Sequence, residues 1–133
     1  MSRTSLHPIA AVFVATAATI ALAPAPANAA EIRCTHSIDT YKNQYEVTFT
    51  HNVQCDGPAY GSLSRIESYR PSTKSANNWC SPSRWCRSTV GFVNTPGTQE
   101  YCARAWGDYY PAYNDYRYMN ARPLPEIRTC TYA

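Results

Sequence analysis

From Tyr45 to Cys55 apolar and polar residues alternate without a break. Tyr45, Val47, Phe49, His51, Val53 and Cys55 fall on one side, and Glu46, Thr48, Thr50, Asn52 and Gln54 on the other. Successive side chains of a strand point to opposite faces, so this stretch is a strand with one face toward a core. Ile32, Cys34, His36 and Ile38 alternate in the same way just before it, and Thr40 to Gln44, centred on Lys42-Asn43, is a polar turn. The two strands form a hairpin with both cysteines on the apolar side. Asp56-Gly57-Pro58 is expected to end the second strand sharply.

The remaining pattern is weaker. Ser62 to Tyr69 reads as a strand with Ser64, Ile66 and Ser68 on one side and Leu63, Arg65, Glu67 and Tyr69 on the other. Pro71 to Asn78 has no alternation and is expected to be a polar loop. Trp79 to Cys86 is a compact segment, Arg87 to Val93 a further strand, and Asn94-Thr95-Pro96-Gly97 a turn by composition. Gln99 to Trp106 is a strand with Tyr101, Ala103 and Ala105 on one face, and Pro125 to Tyr132 is the last strand. Between them Gly107 to Arg122 is rich in tyrosine. Tyr109, Tyr113 and Tyr116 have helical spacing, and Pro111 suits a first helical turn. Gly107, two asparagines and the middling propensity of Tyr weigh against a helix, so a loop is expected. Short strands separated by turn residues predict an all-β fold: a small, disulfide-stabilised, Ig-like β-sandwich of antiparallel strands.

The first 29 residues change the picture. A basic Arg3, an apolar run from Ile9 to Leu22 and an Ala-x-Ala site at Ala27-Asn28-Ala29 make residues 1–29 a signal peptide, leaving 30–133 as one secreted domain. The run is shorter than the roughly 20 residues of a comfortable span, and no second one follows it, so no membrane association is expected after cleavage. The net charge of +3 falls to +2 once Arg3 is removed. That is too little to argue for nucleic acid.

All six cysteines lie in the mature part, which in an exported chain of this size predicts three disulfides. Cys80 and Cys86 are close enough in sequence to bridge. Cys34 and Cys55 face each other if the hairpin turns near Gln44, and Cys102 and Cys130 remain. The rival pairing is Cys55 with Cys102 and Cys34 with Cys130. By loop entropy the sequential bridges contribute roughly 3.4, 2.4 and 3.6 kcal/mol as upper estimates. No Cys-x-x-Cys pair is present and neither His36 nor His51 completes a zinc spacing, so no metal and no cofactor are expected.

Three stretches carry candidate chemistry. Glu46, Glu67, Arg65 and His51 supply the residue types of a small ribonuclease, but Glu46 and His51 fall on opposite faces of one strand. His51, on the apolar face, reads more simply as a core histidine, and His36 as its neighbour across the hairpin. No nucleophile elbow, phosphate loop or metalloprotease helix is present, so no catalytic residue is assigned. The bridged segment from Cys80 to Cys86 presents Arg84 and Trp85 as an alternative, an inhibitory loop for a trypsin-like protease. The third stretch, Trp106 to Tyr118, has six aromatic residues among 13. Trp106, Tyr109, Tyr110, Tyr113, Tyr116, Arg117 and Tyr118 are the expected contact residues for a protein or carbohydrate ligand, with several of the tyrosines exposed and grouped on one surface.

Glu100-Tyr101-Cys102-Ala103-Arg104-Ala105-Trp106 and the tyrosines after it are similar to the end of an antibody heavy-chain variable domain. The likeness stops there: the Trp after the first core cysteine and the Asp-x-Ala-x-Tyr corner are both missing. Over the whole mature chain the sequence resembles small exported proteins of actinobacteria that have no assigned activity. The residues that carry this are the Ala-Pro-Ala signal end, Cys34-Thr35, Val53-Gln54-Cys55, the Gly97 to Ala105 strand and Ile127-Arg128-Thr129-Cys130. The resemblance implies secretion and a β-sandwich, and it brings no catalytic residues with it.

Overall fold

Val47, Phe49, His51, Val53 and Cys55 are buried in one row along the second strand, and this row is the axis of the interior. The computed structural model describes residues 30–133; the expected signal peptide, 1–29, lies outside the described residues. The strands are β1 (Cys34–Lys42), β2 (Glu46–Ala59), β3 (Gly61–Arg70), β4 (Lys74–Cys80), β5 (Ser83–Val93), β6 (Glu100–Tyr110) and β7 (Arg122–Tyr132), with one short helix, α1 (Tyr113–Arg117). They form two antiparallel sheets, β1-β2-β5 and β4-β3-β6-β7. The all-β, disulfide-stabilised sandwich expected from the alternation is the fold.

In the constant-type immunoglobulin order the fourth strand extends the sheet of the first, second and fifth. Here it pairs with β3 instead. The connection between them holds only residues 71–73 and is tied by Ser68, whose hydroxyl donates to the Ser72 carbonyl and accepts from the Lys74 amide. So short a link leaves β4 no partner but β3. The loop expected at 71–78 is therefore mostly strand. Being an edge strand, β4 is exposed along most of its length and carries the polar residues that keep such edges from pairing further.

Other boundaries moved as well. β2 continues past Asp56-Gly57-Pro58 to Ala59, with an irregularity in its pairing to β5 between Gln54 and Ala59. Tyr45, expected on the buried face, is exposed at the hairpin turn. β6 runs on through Gly107 to Tyr110. Gly107 does not stop it: a Cβ there would lie 2.0 Å from the Leu63 carbonyl oxygen, so the glycine is what lets β6 approach β3. The tyrosine-rich segment forms α1 where a loop was expected, and no residue of this helix is buried.

The disulfides are Cys34–Cys55, Cys80–Cys86 and Cys102–Cys130, the sequential pairing. Cys34 stands opposite Cys55 and Cys102 opposite Cys130 in the strand registers. Cys80–Cys86 joins β4 to β5, and so ties one sheet to the other. Lys74 and Asn78 reach across the same side to the carbonyls of Gly91 and Arg87. On the opposite side Lys42 donates to the Tyr132 carbonyl. No helix among the described residues is long and apolar enough to cross a membrane.

The interior is in two apolar parts. One is built from Val47, Phe49, Ile66, Val90, Phe92, Tyr101, Ala103 and Ala105, the other from Cys34, Val53, Cys55, Ala59, Cys86 and Leu124. Between them runs a polar belt. His51 lies between Phe49 and Val53 in the inward row of β2, and Ser88 between Cys86 and Val90 in that of β5.

Candidate functional site

The outer face of the four-stranded sheet is set by alternation. On β3 it carries Leu63, Arg65 and Glu67, whose neighbours Ser62, Ser64, Ile66 and Ser68 are buried. The registers place Trp79 beside Leu63 on one side and Asp108 on the other, Trp106 beside Arg65, and Tyr110 beside Gly61. Residues paired across a sheet share a face, so Trp79, Trp106, Asp108 and Tyr110 all stand outside.

At the end of this face the aromatic rings collect. Trp79, Tyr110 and Tyr116 form a triangle with ring centroids 6.0, 6.0 and 5.3 Å apart, and Tyr60 adds contacts of 4.9 Å to Tyr116 and 5.4 Å to Tyr113. At these separations the rings touch one another in the tilted and edge-to-face arrangements that aromatic pairs prefer. Trp79 remains 43% exposed and Tyr116 41%. Beside the rings Arg65 and Asp108 form an ion pair at 3.6 Å, both partly exposed. Leu63, Arg65, Trp79, Asp108, Tyr110 and Tyr116 together line an open groove of about 400 Å³.

Local structure holds the groove in shape. A Cβ at Gly61 would fall 2.3 Å from the Trp79 ring, so the indole lies directly on the Gly61 backbone. Tyr60 is fixed through its amide to the Pro111 carbonyl and through its own carbonyl to the Ser81 hydroxyl. α1 is pinned at both ends. The Asp115 carboxylate accepts from the Ala112 amide at its start, and Arg122 reaches both Asp115 and the Asn120 carbonyl after its end. Glu31 pairs with the same guanidinium. Hydrogen bonding and pairing with Glu31, and then the charge of Asp115, raise the Arg122 pKa above its usual value.

The expected contact residues divide into four groups. Tyr110, Tyr113 and Tyr116 belong to the cluster. Trp106 lies on the same outer face, one strand pair along, with the Arg104 guanidinium 5.6 Å from its ring centre. Tyr109 points the other way, packing against the apolar part that holds Cys86 and Leu124. Tyr118 is 72% exposed and has Arg117 over its ring, apart from the triangle. The sequence reading missed Tyr60, Leu63, Arg65, Trp79 and Asp108 as members of this site. Trp79 had only its place beside Cys80 to draw attention to it, since the register of an unrecognised strand gives no neighbours.

Arg84 and Trp85 are both exposed, but they sit at the start of β5 and not on a projecting loop; only residues 81 and 82 separate β4 from β5. Trp85 and Arg87, with Asn78 and Cys80, edge a shallow concavity of about 490 Å³. Glu46, Glu67, Arg65 and His51 do not converge. His51 is inside the sandwich, Arg65 and Glu67 are on the outer face of the larger sheet, and Glu67 is bound to Arg104. Among the described residues one group of potential metal-ligating atoms occurs, Glu100 with Cys102 and Cys130, and its two sulfurs are bonded to each other.

The polar belt is a second cluster of titratable groups. His36 Nδ1 and His51 Nε2 are 2.9 Å apart, His51 Nδ1 and the Ser64 hydroxyl 2.7 Å, and the Ser64 and Ser88 hydroxyls 2.7 Å. Two neutral arrangements satisfy this chain, with protons donated in one direction or the other. Burial, and then the charge of His36, push the His51 pKa down to about 4; burial also lowers that of His36. Ser64 and His51 are both fully buried, so their hydroxyl–imidazole contact is closed to a substrate. Among the described residues no buried side-chain nitrogen or oxygen lacks a partner.

No protein-family model, curated protein or solved structure matches the chain.

Proposed function

We propose that this protein is an exported binding module whose contact surface is the aromatic end of its four-stranded sheet. The observation that carries the reading is the triangle of Trp79, Tyr110 and Tyr116, part-exposed beside the Arg65–Asp108 pair, with Trp79 resting on Gly61. Scattered exposed apolar residues need no explanation, but rings grouped around a groove with a few fixed polar groups are the make-up of a ligand site. Because the rings are already packed, little side-chain freedom remains to be lost on binding. Three disulfides support export, as does the resemblance to small exported proteins of actinobacteria.

The test is retention of ligand from the culture medium of the source organism by immobilised protein. Tyr110→Ala combined with Tyr116→Ala should fold and lose what the wild type retains, while Trp85→Ala, on the other side of the sandwich, should keep it. Equal retention by all three proteins would move the function elsewhere.

A further inference from the structure

Accepting that reading of the surface, we infer that its ligand is a neutral carbohydrate chain. The groove offers two kinds of recognition side by side. Trp79, Tyr110 and Tyr116 provide flat apolar rings, and the Arg65 guanidinium with the Asp108 carboxylate provides donors and acceptors 3.6 Å apart. A pyranose has the same two parts, a face of C–H groups and a rim of hydroxyls that both donate and accept.

The charge on this face selects against the alternatives. Arg65 is matched by Asp108, and Arg104 by Glu67 and Glu126. An anionic polymer or an acidic peptide therefore meets no unpaired basic side chain among these groups, and a cationic one meets no unpaired acid. The rings also touch one another, leaving no hollow of the kind that encloses a quaternary ammonium ion. A hydroxyl rim, in contrast, can join the existing ion pair without separating it.

The same face indicates a chain and not a single sugar. Trp106 and Tyr110 stand four residues apart on β6 and point the same way, which places them about 14 Å from each other along the strand. The Arg65–Asp108 pair lies between them, since Arg65 is opposite Trp106 and Asp108 is two residues from each ring. Aromatic, polar and aromatic positions thus follow one another along one strand.

The test is titration of the full disulfide-bonded protein with hexasaccharides of β-1,4-linked glucose, xylose, mannose and N-acetylglucosamine, read by tryptophan fluorescence and calorimetry. At least one should bind saturably, more tightly than its monosaccharide, and with an affinity unchanged between about 0.05 and 0.5 M salt. Trp79→Ala should weaken binding about 30-fold or more, the scale of a contact hot spot. Tyr116→Ala, in a helix with no buried residue, gives a second variant if the first fails to fold. Trp85→Ala should bind as the wild type does. Absence of binding across the four sugars overturns the inference, as does preference for polygalacturonate or heparin with loss at high salt. A protein partner retained through Tyr110 and Tyr116 without any sugar binding would also overturn it, while leaving the binding reading in place. Failure of both experiments would remove both.

Discussion

On its inner face the four-stranded sheet presents the small residues Ser62, Ser64, Ser68, Ala76, Ala103 and Ala105, with the larger Ile66, Tyr101 and Leu124 among them. On its outer face the same strands present Leu63, Trp79, Trp106 and Tyr110. Along β3 polarity is distributed against the usual rule, three of the four inward side chains being serines. A sheet with one face in the core normally turns its large apolar residues inward and its small polar ones toward water. The inner face is made to work by hydrogen bonds, Ser62 to Ser83 and Ser64 to His51 and Ser88, and by bulk from its own Tyr101 and from Phe49, Val90 and Phe92 of the opposite sheet. The outer face needs none of its aromatic residues to close the core. The difference teaches that the two faces are under separate demands, folding inside and contact outside.

The largest effect should come from the few inner positions where apolar packing carries the load. Ile66→Ala removes a side chain 1% exposed and should cost about 2–5 kcal/mol, measured by urea unfolding. A loss below about 1 kcal/mol would mean that this face is loosely packed.

Acid is the next probe. His51 is held neutral in the fold, with its pKa near 4 against 6.5 when exposed, so the unfolded chain binds its proton first. Its contribution is complete above pH 6.5 and is lost as pH falls through 4, in total about 3 kcal/mol and about 2 kcal/mol of it by pH 5. The lowered His36 acts in the same direction. Unfolding midpoints that do not fall between pH 7 and pH 5 would contradict a buried neutral pair.

Ser64→Ala removes a partner from both His51 and Ser88 while sparing the apolar parts. The expected loss is about 1–3 kcal/mol, seen in the same unfolding experiment. An unchanged stability would show that the belt tolerates an open acceptor. The outer face should give the smallest value. Tyr116→Ala, which removes ring contacts with Tyr60, Trp79 and Tyr110 on the surface, should cost about 1 kcal/mol or less, and a loss above about 2 kcal/mol would make the cluster part of the core after all.

Much of the inner face could be read from the chain. The alternation in β2 identified its buried row, and the polar residues Thr40 to Gln44 located the hairpin turn, which is found at residues 43–45 and sets Cys34 opposite Cys55. The outer site was less legible because it depends on register. Trp79 meets Leu63 only if Lys74–Cys80 is a strand, and a polar edge strand leaves no periodic signal to say so. Asp108 joins Arg65 only if β6 continues past Gly107, a residue that reads as a break until its contact with the Leu63 backbone is seen. α1 has five residues and no buried face, so the helical spacing of Tyr109, Tyr113 and Tyr116 was too short a pattern to outweigh Gly107 and the two asparagines.

The three disulfides also define the domain as a mechanical object. Residues 34–55, 80–86 and 102–130 are sealed inside covalent loops. Pulled by its ends, the oxidised domain can let out only residues 56–79 and 87–101, roughly 140 Å of chain at about 3.6 Å per residue. The central strand β3 lies wholly within that releasable length, and it has no covalent tie to either neighbour. Reduction would more than double the extension between Cys34 and Cys130, so a single force trace would report how many of the three staples were closed.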